Sequence, residues 1–239
     1  MKIAKQSVEL IDFMGSDLVV VNAARVSFAK ESDWVYEGLD RFRSEYDEKH
    51  LSEKDQKLIY YLAKHNHWSP FAHTSLQFRI KAPIFVARQL VKHQVGGVWN
   101  EVSRRYVDDE PEFFFPDVWR GKPVNAKQGS SGVVENIWWI PEDSYYSVQE
   151  GVKEITQYSL NRYKRMIQEG VAPEQARMIL PQNTITTWIW TGSLYFFARV
   201  CNLRLDPHAQ EETREIASLI AKSIPKEFEH SWKVLVKGE

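Results

Sequence analysis

The sequence predicts an α+β (mixed α/β) fold in a single domain over residues 1–239, with an early antiparallel or mixed sheet flanked by helices and a helical C-terminal half. Two patterns carry this prediction. Leu76, Phe78 and Ile80 alternate with polar residues, which is the period of a half-buried strand. Over residues 147–169, apolar residues recur at helical spacing instead. Strands early in the chain and helices late are typical of an α+β domain.

Local signals predict the elements of the first eighty residues. A short apolar run at residues 18–21 predicts a strand. The charged segment 30–54 has few apolar anchors and predicts a loop with a short helix. Ser52 and Asp55 resemble the start of a capping box, which predicts a helix that continues to about His65.

Proline and glycine mark the next boundaries. Pro83 fits the first residue of a helix that continues to about Val95, because the fixed φ of proline suits a first turn. Gly96 and Gly97 should end that helix. The segment of about 111–141 contains several glycines and prolines, and it predicts a long loop insertion.

Helices dominate the predictions for the second half. The 147–169 helix should end at Gly170, and its inward positions are Val152, Ile155, Tyr163 and Ile167. The mostly apolar segment 186–203 predicts one buried helix. Asp206 and Pro207 form a good N-cap and first-turn pair for the last major helix.

Composition limits the classes of function. The formal net charge is −1, so no extended basic surface favours a nucleic-acid partner. Cys201 is the only cysteine and stands in an apolar run, which favours a buried, inert thiol and leaves no cysteine-based metal site within the chain. The N-terminus lacks the apolar stretch of a signal peptide, and no segment approaches the roughly 20 apolar residues of a membrane span. We therefore expect a cytoplasmic protein with no metal, membrane or nucleic-acid partner.

The segment 88–106 is a dense polar cluster. If its first half is helical, Gln89, Lys92 and His93 lie within one turn and share a face. The segment 100–106 adds an amide, a carboxylate, a serine and two arginines. Such a set can bind a phosphate and the polar edge of a planar heterocycle. From composition alone, a solvated and charged helix end is an equally good interpretation.

Other polar residues stand beside apolar sequence or in turns. Arg177 and Arg204 flank apolar residues, so each guanidinium should meet a carboxylate or a ligand phosphate, and a salt bridge within the fold is the more common case. His208 would lie in the first turn of the last predicted helix, where backbone N–H groups favour an electron-rich ligand. A surface histidine without a ligand is the alternative. Ser27 and Ser69 stand in predicted turns, where serines usually cap their own backbone.

Taken in order, five motifs of this chain resemble those of the flavin-dependent thymidylate synthases, a family unrelated to the thymidylate synthases that use a cysteine nucleophile. These motifs are AARVSF at 23–28, HWSPFAH at 67–73, KAPIFVARQ at 81–89, NEVSRRY at 100–106, and ARMILP through NLRLDPHAQ at 176–210. They cover most of the chain outside the segments around 30–55 and 110–150. Five motifs in the family's order are far more specific than any single one.

The resemblance implies methyl transfer to a nucleotide. Enzymes of this family pass the methylene group of methylenetetrahydrofolate to dUMP, and FAD that NADPH has reduced supplies the hydride. They are homotetramers whose active sites are built from several subunits. For this chain the resemblance therefore implies FAD as cofactor, dUMP, folate and NADPH as partners, and a homotetramer.

The resemblance also implies roles for individual residues. Nucleotide-binding positions are held by Gln89, Lys92, Glu101, Ser103, Arg104, Arg105, Arg177 and Arg204. FAD-contacting positions are held by Ser27, Ser69, His93, Gln94, Asn100, Glu101, Arg199, Leu203 and His208. Catalytic positions are held by Arg204, Ser103 and His67. We favour binding and polarisation for Ser103 over nucleophilic attack, because no base stands beside it in the sequence.

The chain departs from the family pattern at its hallmark. The family's Arg-His-Arg, seven residues and a serine are here Lys92, His93 and Gln94, then eight residues and Ser103. Lysine keeps the charge but loses the guanidinium fork, and Gln94 removes a cation. Arg199 replaces a family asparagine in the flavin-facing helix, which suggests that it restores the lost charge. Further departures are at Ala72, Ser193 and Tyr195.

Two other functions are open at this point. The departures at Gln94, Ala72 and Ser193 fit a nucleotide-binding protein that has kept the dUMP pocket and lost flavin chemistry. The altered spacing near Val98 fits flavin-dependent methylation of another pyrimidine nucleotide. Tight FAD binding would argue against the first alternative, and competition between nucleotides would decide the second.

Overall fold

The computed structural model describes residues 1–36, 49–107, 109–124, 129–134, 138–140 and 143–236. The strands, numbered in chain order, are β1 (Lys2–Ile3), β2 (Ser7–Met14), β3 (Val35–Tyr36), β4 (Lys49–His50), β5 (Ser75–Pro83), β6 (Gly97–Glu101), β7 (Glu112–Phe113), β8 (Trp138–Ile140), β9 (Asp143–Ser147) and β10 (Ile185–Gly192). The helices are α1 (Asp17–Arg25), α2 (Glu53–Lys64), α3 (Ile84–Leu90), α4 (Val148–Gln168), α5 (Pro173–Ala176), α6 (Leu194–Arg204), α7 (Glu211–Lys222) and α8 (Glu229–Leu235). Strands prevail early and helices late, so the predicted α+β class is confirmed.

An antiparallel sheet of four strands forms the centre of the fold, in the order β2-β5-β10-β6. Leu76, Phe78 and Ile80 of β5 are fully buried, which confirms the predicted half-buried strand. Trp188 and Trp190 of β10 join them in the same core, and helices α3, α6 and α7 pack against it. Burying one such side chain stabilises a fold by about 1.5–3 kcal/mol. This core fixes the positions of the helix ends that carry the polar residues discussed below.

The segment 18–21 is helical and belongs to α1, so the predicted strand is wrong there. Ser16 caps the helix, because its side chain accepts a hydrogen bond from the backbone N–H of Val19. Val20 and Val21 pack with Ile59 of α2 in a second apolar cluster. Four apolar residues fit either a strand or one helical face, and here the cap decides in favour of the helix.

The helix predicted after Ser52 is confirmed as α2. The Ser52 side chain accepts from the backbone N–H of Asp55 at 3.2 Å, as a capping residue does. Ile59 and Leu62 are the buried apolar residues of this helix. The opposite side of α2 is therefore free to contribute polar side chains to a surface cavity.

The segment 186–203 forms two elements instead of the one buried helix that the sequence predicts. Its first part lies in β10 and its second in α6, and Ser193 separates them by accepting a hydrogen bond from the backbone N–H of Phe196 at 3.2 Å. Both elements are apolar because one is the third strand of the central sheet and the other covers it. Cys201 of α6 is fully buried, as predicted.

Helix α4 confirms the helix predicted over 147–169. Ser147 and Glu150 form a complete capping box at its start, and Gly170 follows its end with a φ of +81°. Tyr163 is buried as predicted, whereas Ile155 is 49% exposed, so its predicted inward position is wrong. The buried positions of the helix are Gly151, Thr156, Leu160 and Tyr163, so the buried face shares only Tyr163 with the predicted one.

The last major helix, α7, begins at Glu211, so the predicted cap at Asp206 is wrong. Gln210 occupies the N-cap position. Asp206 instead closes a tight turn, because its carboxylate accepts a hydrogen bond from the backbone N–H of His208 at 2.7 Å. His208 consequently lies before the helix and not in its first turn.

Two predicted loops are described in part. Within 30–54, residues 37–48 lie outside the described residues, so the short helix expected in this segment stays a prediction; the described remainder holds the antiparallel pair β3 and β4 and the start of α2. Within 111–141, residues 125–128, 135–137 and 141 lie outside the described residues. In the described part, β7 pairs in parallel with β1, and Phe113 is fully buried. That insertion is therefore anchored to the core at its beginning.

None of the described helices has the length and apolarity that a membrane crossing requires. Among the same residues, no group of three or more histidine, cysteine or acidic side chains is arranged to hold a metal ion.

Candidate functional site

A tight turn after α3, here called the hallmark turn, contains Lys92, His93 and Gln94. The helix predicted to continue to Val95 ends at Leu90, whose carbonyl accepts from the backbone N–H of His93 at 3.0 Å. The N–H of Gln94 donates to the carbonyl of Lys92 at 3.1 Å. Because these three residues follow the helix, Gln89 does not share a helical face with them, and that part of the prediction is wrong.

Two glycines connect this turn to β6. Gly96 has a φ of +88°, in the left-handed region that favours glycine. A Cβ atom on Gly97 would overlap Cζ of Phe196, so a larger residue requires that buried ring to move. The chain can therefore pass close to α6 at this point, which brings the hallmark turn against the helix that carries Arg199 and Arg204.

His93 and Arg204 are in direct contact across this junction. Nε of Arg204 donates to Nε2 of His93 at 2.9 Å. Burial, followed by the positive charges of Arg204 and Arg199, lowers the pKa of His93 from 6.5 to about 4. The imidazole is therefore neutral at physiological pH. Burial also lowers the pKa of Arg204, which still remains a cation.

These side chains line a cavity of about 300 Å³, here called the His93 cavity; its lining residues are Lys92, His93, Gln94, Val95, Phe196, Arg199, Leu203 and Arg204. The cavity thus gathers six residues to which the resemblance assigns nucleotide or FAD contacts. Among the described residues, no carboxylate lies within ion-pair distance of Lys92, Arg199 or Arg204. Three cations without a counter-charge beside a neutral imidazole form a site for an anionic ligand.

A second cavity, of about 740 Å³, brings Ser27, His67 and Ser69 together and is here called the Ser27 cavity. It lies between the end of α1, the outer side of α2 and the turn that follows α2. Its wall includes three residues that sequence reasoning missed: Lys54, Lys57 and Tyr61. They recur at spacings of three and four residues on α2, away from its buried face, and that periodicity is the signal that would have found them.

A smaller cavity of about 260 Å³ adjoins both, because it shares lining residues with each of them. His67 lines this cavity and the Ser27 cavity, and Arg199 lines this cavity and the His93 cavity. Tyr195 and Trp68 also line it, with their ring centroids 6.2 Å apart. The shared residues mark a track along the surface, with aromatic side chains at its middle and cations at its ends, which suits an elongated ligand with planar and anionic parts.

The end of β6 and the residues that follow it contain further polar side chains with fixed partners. The carboxylate of Glu101 accepts from Oγ1 of Thr186 at 2.7 Å and from Nε1 of Trp99 at 3.2 Å, so it is held in place across the sheet. Beyond the strand, Oγ of Ser103 accepts from Nε of Arg105 at 2.9 Å. Arg104 turns away and donates to the carbonyl of Asp109 at 2.8 Å. Asn100 is exposed on β6.

Three predicted site residues have other surroundings within this chain. Gln89 of α3 donates to Gln210 and accepts from Oγ1 of Thr213 at 3.2 Å, so its side chain contacts the start of α7. Nε of Arg177 donates to the carbonyl of Glu174 at 3.2 Å, and the side chain is exposed. His208 is exposed beside Asp206. None of the three lines the cavities described above.

A larger cavity of about 840 Å³ lies elsewhere, between residues 114–123 with 129–130 and the start of α4. Phe85, Phe114 and Trp119 contribute to its wall. It contains none of the predicted site residues, and two of its three charged lining residues, Arg120 and Glu212, are paired with each other. Size alone therefore does not identify the functional site.

The scaffold is an α+β domain with three adjoining surface cavities, one of them lined by three cations. Residues 9–229 match the family model Thy1, thymidylate synthase complementing protein. The flavin-dependent thymidylate synthase of Thermosipho africanus (strain TCF52B) is 35% identical over 98% of this chain and 94% of that protein. The corresponding protein of Thermotoga neapolitana is 36% identical over 98% of this chain and 92% of its own length. This chain therefore belongs to the family of flavin-dependent thymidylate synthases, and the resemblance seen in its motifs is confirmed.

A solved structure shares the fold. The UMP/dUMP methylase PolB from Streptomyces cacaoi, bound with 5-Br dUMP, matches over 100% of both chains with a TM-score of 0.78 and 26% sequence identity. A second structure of PolB, bound with 5-Br UMP, matches with a TM-score of 0.77 at 25% identity over 98% of this chain and 95% of that one. The architecture described above is thus shared with a solved UMP/dUMP methylase.

Proposed function

We propose that this chain converts dUMP to dTMP with the one-carbon unit of methylenetetrahydrofolate. A bound FAD, reduced by NADPH, would supply the hydride that completes the methyl group. Apart from family membership, one observation carries the proposal: Lys92, Arg199 and Arg204 surround the His93 cavity without a carboxylate among the described residues to neutralise them. An anionic ligand compensates such a cluster.

The residues along the three cavities fit an FAD molecule. Ser27 and Ser69 offer hydroxyl groups at one end of the track, and His93 with Leu203 lies at the other. His67 lines the middle, where an aromatic ligand would meet Tyr195. In this proposal the chain binds and orients the flavin, while the cations adjust the charge around it.

Binding of dUMP would use the cations and the oriented polar groups near β6. Arg204 faces the His93 cavity, where its guanidinium can donate in pairs to a phosphate or to the uracil edge. Glu101 is an oriented acceptor, and Ser103 is held by Arg105. Among the described residues, only Arg105 hydrogen-bonds to the Ser103 hydroxyl, and a guanidinium is not a base. This supports the binding and polarising role of Ser103 over nucleophilic attack.

The absorbance spectrum of the purified protein, followed by a turnover assay, tests the proposal. We expect bound or readily acquired FAD, and dTMP formed only when dUMP, methylenetetrahydrofolate and NADPH are all present. Arg204→Ala should abolish turnover, whereas Arg162→Ala, at an exposed position on α4, should not. A colourless protein that binds dUMP but takes up no FAD would contradict the proposal and support a nucleotide-binding protein without flavin chemistry.

UMP is the second candidate substrate. The solved structures that match this chain belong to a protein titled a UMP/dUMP methylase and contain 5-Br dUMP and 5-Br UMP. The extra residue of the hallmark turn is a change that could alter the nucleotide pocket. Competition between dUMP, UMP and dCMP in a single-turnover assay distinguishes the candidates, and dTMP as the sole methylated product would exclude the second.

We also propose a homotetramer with shared active sites. Gln89, Arg177 and the Ser103 group contact other parts of their own chain, away from the His93 cavity. A neighbouring subunit that contributes them would bring them to the same nucleotide as Arg204. Co-expressed Arg177→Ala and Arg204→Ala chains should then recover part of the activity that each lacks alone. Hybrid tetramers without activity would contradict the shared sites.

A further inference from the structure

We propose that Glu212 of α7 acts through Gln210 to fix the side-chain amide of Gln89 in one orientation, so that the nucleotide site accepts uracil and rejects cytosine. Glu212 is thus a positioning residue for substrate specificity, and Arg120 of the segment 111–141 holds its carboxylate in place. The inference rests on the proposed function, because only that proposal brings a pyrimidine nucleotide to Gln89.

The carboxylate of Glu212 has a donor on each of its oxygens. Glu212 is 7% exposed, and its Oε1 accepts from the guanidinium of Arg120 while its Oε2 accepts from Nε2 of Gln210 at 2.9 Å. Arg120 is itself fixed, because its Nε donates to Oγ of Ser130 at 3.1 Å.

This carboxyl group is ionised at neutral pH. Burial raises the pKa of Glu212, but the hydrogen bonds from Arg120, from the backbone and from Gln210 outweigh it, so the pKa lies below its ordinary value. An ionised carboxylate has no hydrogen to donate, so every neighbour that bonds to it must present a donor.

The orientation of the Gln89 amide follows from this requirement. Gln210 turns its –NH2 group to Glu212, so its carbonyl oxygen faces Gln89. That oxygen can only accept, and Gln89 therefore turns its own –NH2 group to Gln210. The carbonyl oxygen of Gln89 then lies against Thr213, whose Oγ1 donates to it at 3.2 Å. Each donor in this chain of contacts meets an acceptor, which fixes its direction.

The half-buried amide of Gln89 keeps one N–H and one lone pair for a ligand, because Gln210 and Thr213 are its partners among the described residues. Uracil has the donor N3–H beside the acceptor O4, whereas cytosine has the acceptor N3 beside its donor amino group. An amide whose oxygen and nitrogen cannot exchange places pairs with only one of these patterns at a given position of the ring. A glutamine that turns freely would accept both.

A single isosteric change, Glu212→Gln, tests the inference. Arg120 requires an acceptor, so the introduced amide gives its oxygen to Arg120 and its –NH2 group to Gln210. Gln210 then turns over, and Gln89 turns with it, since the hydroxyl of Thr213 can accept as well as donate. We expect the preference for dUMP over dCMP, measured as the ratio of their Kd values, to fall by about 10- to 100-fold, the range for one mismatched contact to a base edge.

A second variant, Gln210→Ala, breaks the connection and leaves the ion pair of Arg120 with Glu212 intact. The side chain of Gln210 makes no capping hydrogen bond at the start of α7, so the helix should still form. With Gln89 free to turn, the preference for dUMP should be lost. Glu211→Gln is the matched control, because Glu211 is exposed in the same turn of α7, and it should keep the preference of the original protein.

Calorimetric titration with dUMP and with dCMP, in the presence of FAD, gives both Kd values, and melting curves verify folding. A merely structural role of Glu212 would weaken both nucleotides equally and leave the ratio unchanged. An unchanged ratio in either folded variant, or equal affinity for dUMP and dCMP in the original protein, would overturn the inference; Gln210→Ala decides alone if Glu212→Gln does not fold. If the original protein binds neither nucleotide, the proposed function itself fails.

Discussion

Replacement of Arg204 by glutamine should raise the pKa of His93, because the two side chains are in direct contact. Nε of Arg204 donates to Nε2 of His93 at 2.9 Å. Since a guanidinium stays protonated, Nε2 must be the unprotonated nitrogen, and the neutral ring carries its hydrogen on Nδ1. Burial is the largest cause of the lowered pKa of about 4, and the charges of Arg204 and then Arg199 follow. Removing one charge should therefore reverse only part of the change.

The size of the expected rise follows from this order of causes. A pKa of about 4 in place of 6.5 corresponds to about 3 kcal/mol, because each pKa unit is worth about 1.4 kcal/mol. Arg204 contributes less than burial does, so it accounts for less than half of this free energy. We expect the pKa of His93 to rise by roughly one unit in Arg204→Gln, and by less in Arg199→Gln.

The same pKa makes stability depend on pH. The unfolded chain protonates His93 below about 6.5, whereas the folded chain resists protonation until about 4. His93 therefore costs no stability above pH 6.5, and the free energy of unfolding falls as the pH drops from 6.5 to 4. The loss reaches at most about 3 kcal/mol from this residue and should be smaller in Arg204→Gln.

NMR titration of the seven histidines measures these pKa values, with His93→Gln to assign the signal. The ring nitrogen shifts also report which nitrogen carries the hydrogen. Other histidines should titrate alike in the original protein and in Arg204→Gln, which is the internal control. A His93 pKa near 6.5 in the original protein, a hydrogen on Nε2, or no change in Arg204→Gln would refute the reasoning.

Three further changes test the scaffold by denaturant unfolding and thermal melting. Asp55→Ala leaves the guanidinium of Arg25 buried without its partner, and should cost about 3–5 kcal/mol; a loss below 1 kcal/mol would mean that the pair is solvated. Ser147→Ala removes the capping box of α4 and should cost about 1 kcal/mol, which an unchanged melting temperature would contradict. Gly97→Ala forces a methyl group against the buried ring of Phe196 and should cost about 1–3 kcal/mol and weaken FAD binding, since the hallmark turn must move; normal stability would show that the ring can yield.

The elements that the sequence predicts correctly are those in which several signals agree. In α2 the cap at Ser52 and the apolar spacing indicate the same helix, and in α4 the apolar recurrence over 147–169 and Gly170 do so. β5 alternates from Ser75 to Ala82 because one face packs on the core and the other does not. Agreement between local and long-range preferences is what makes such segments predictable.

The errors occur where one signal stands alone. An apolar run of four residues at 18–21 has no period of its own, so the strand and the helix are equally compatible with it. In 186–203 a strand and a helix are both buried, and their apolar residues merge into one run. Proline and glycine suggest the ends of α3 at Pro83 and Gly96, but the helix ends at Leu90, because the turn that follows packs against α6.

The site was harder to predict than the fold, since its groups come from distant parts of the chain. Residue types identify Arg204 and His93 as polar residues in unusual surroundings, yet nothing in composition or spacing shows that they touch across 111 positions. That contact depends on α6 lying over the turn after α3, which follows from the order of strands in the sheet. The family resemblance assigned both residues to one site nevertheless, because members of a family share the same fold.

The neutral state of His93 limits the chemistry open to the site. An imidazole with a pKa of about 4 cannot donate a proton as a general acid at neutral pH, and its Nε2 lone pair is already engaged by Arg204. Its remaining contribution is to fix the orientation of that guanidinium and to offer Nδ1–H to a ligand. The uncharged imidazole thus holds Arg204 in place and leaves its positive charge uncompensated. A carboxylate at the same point would form an ion pair with the guanidinium and cancel that charge. Such an arrangement keeps the full positive charge directed at the cavity, which is what recognition of an anionic nucleotide or flavin requires.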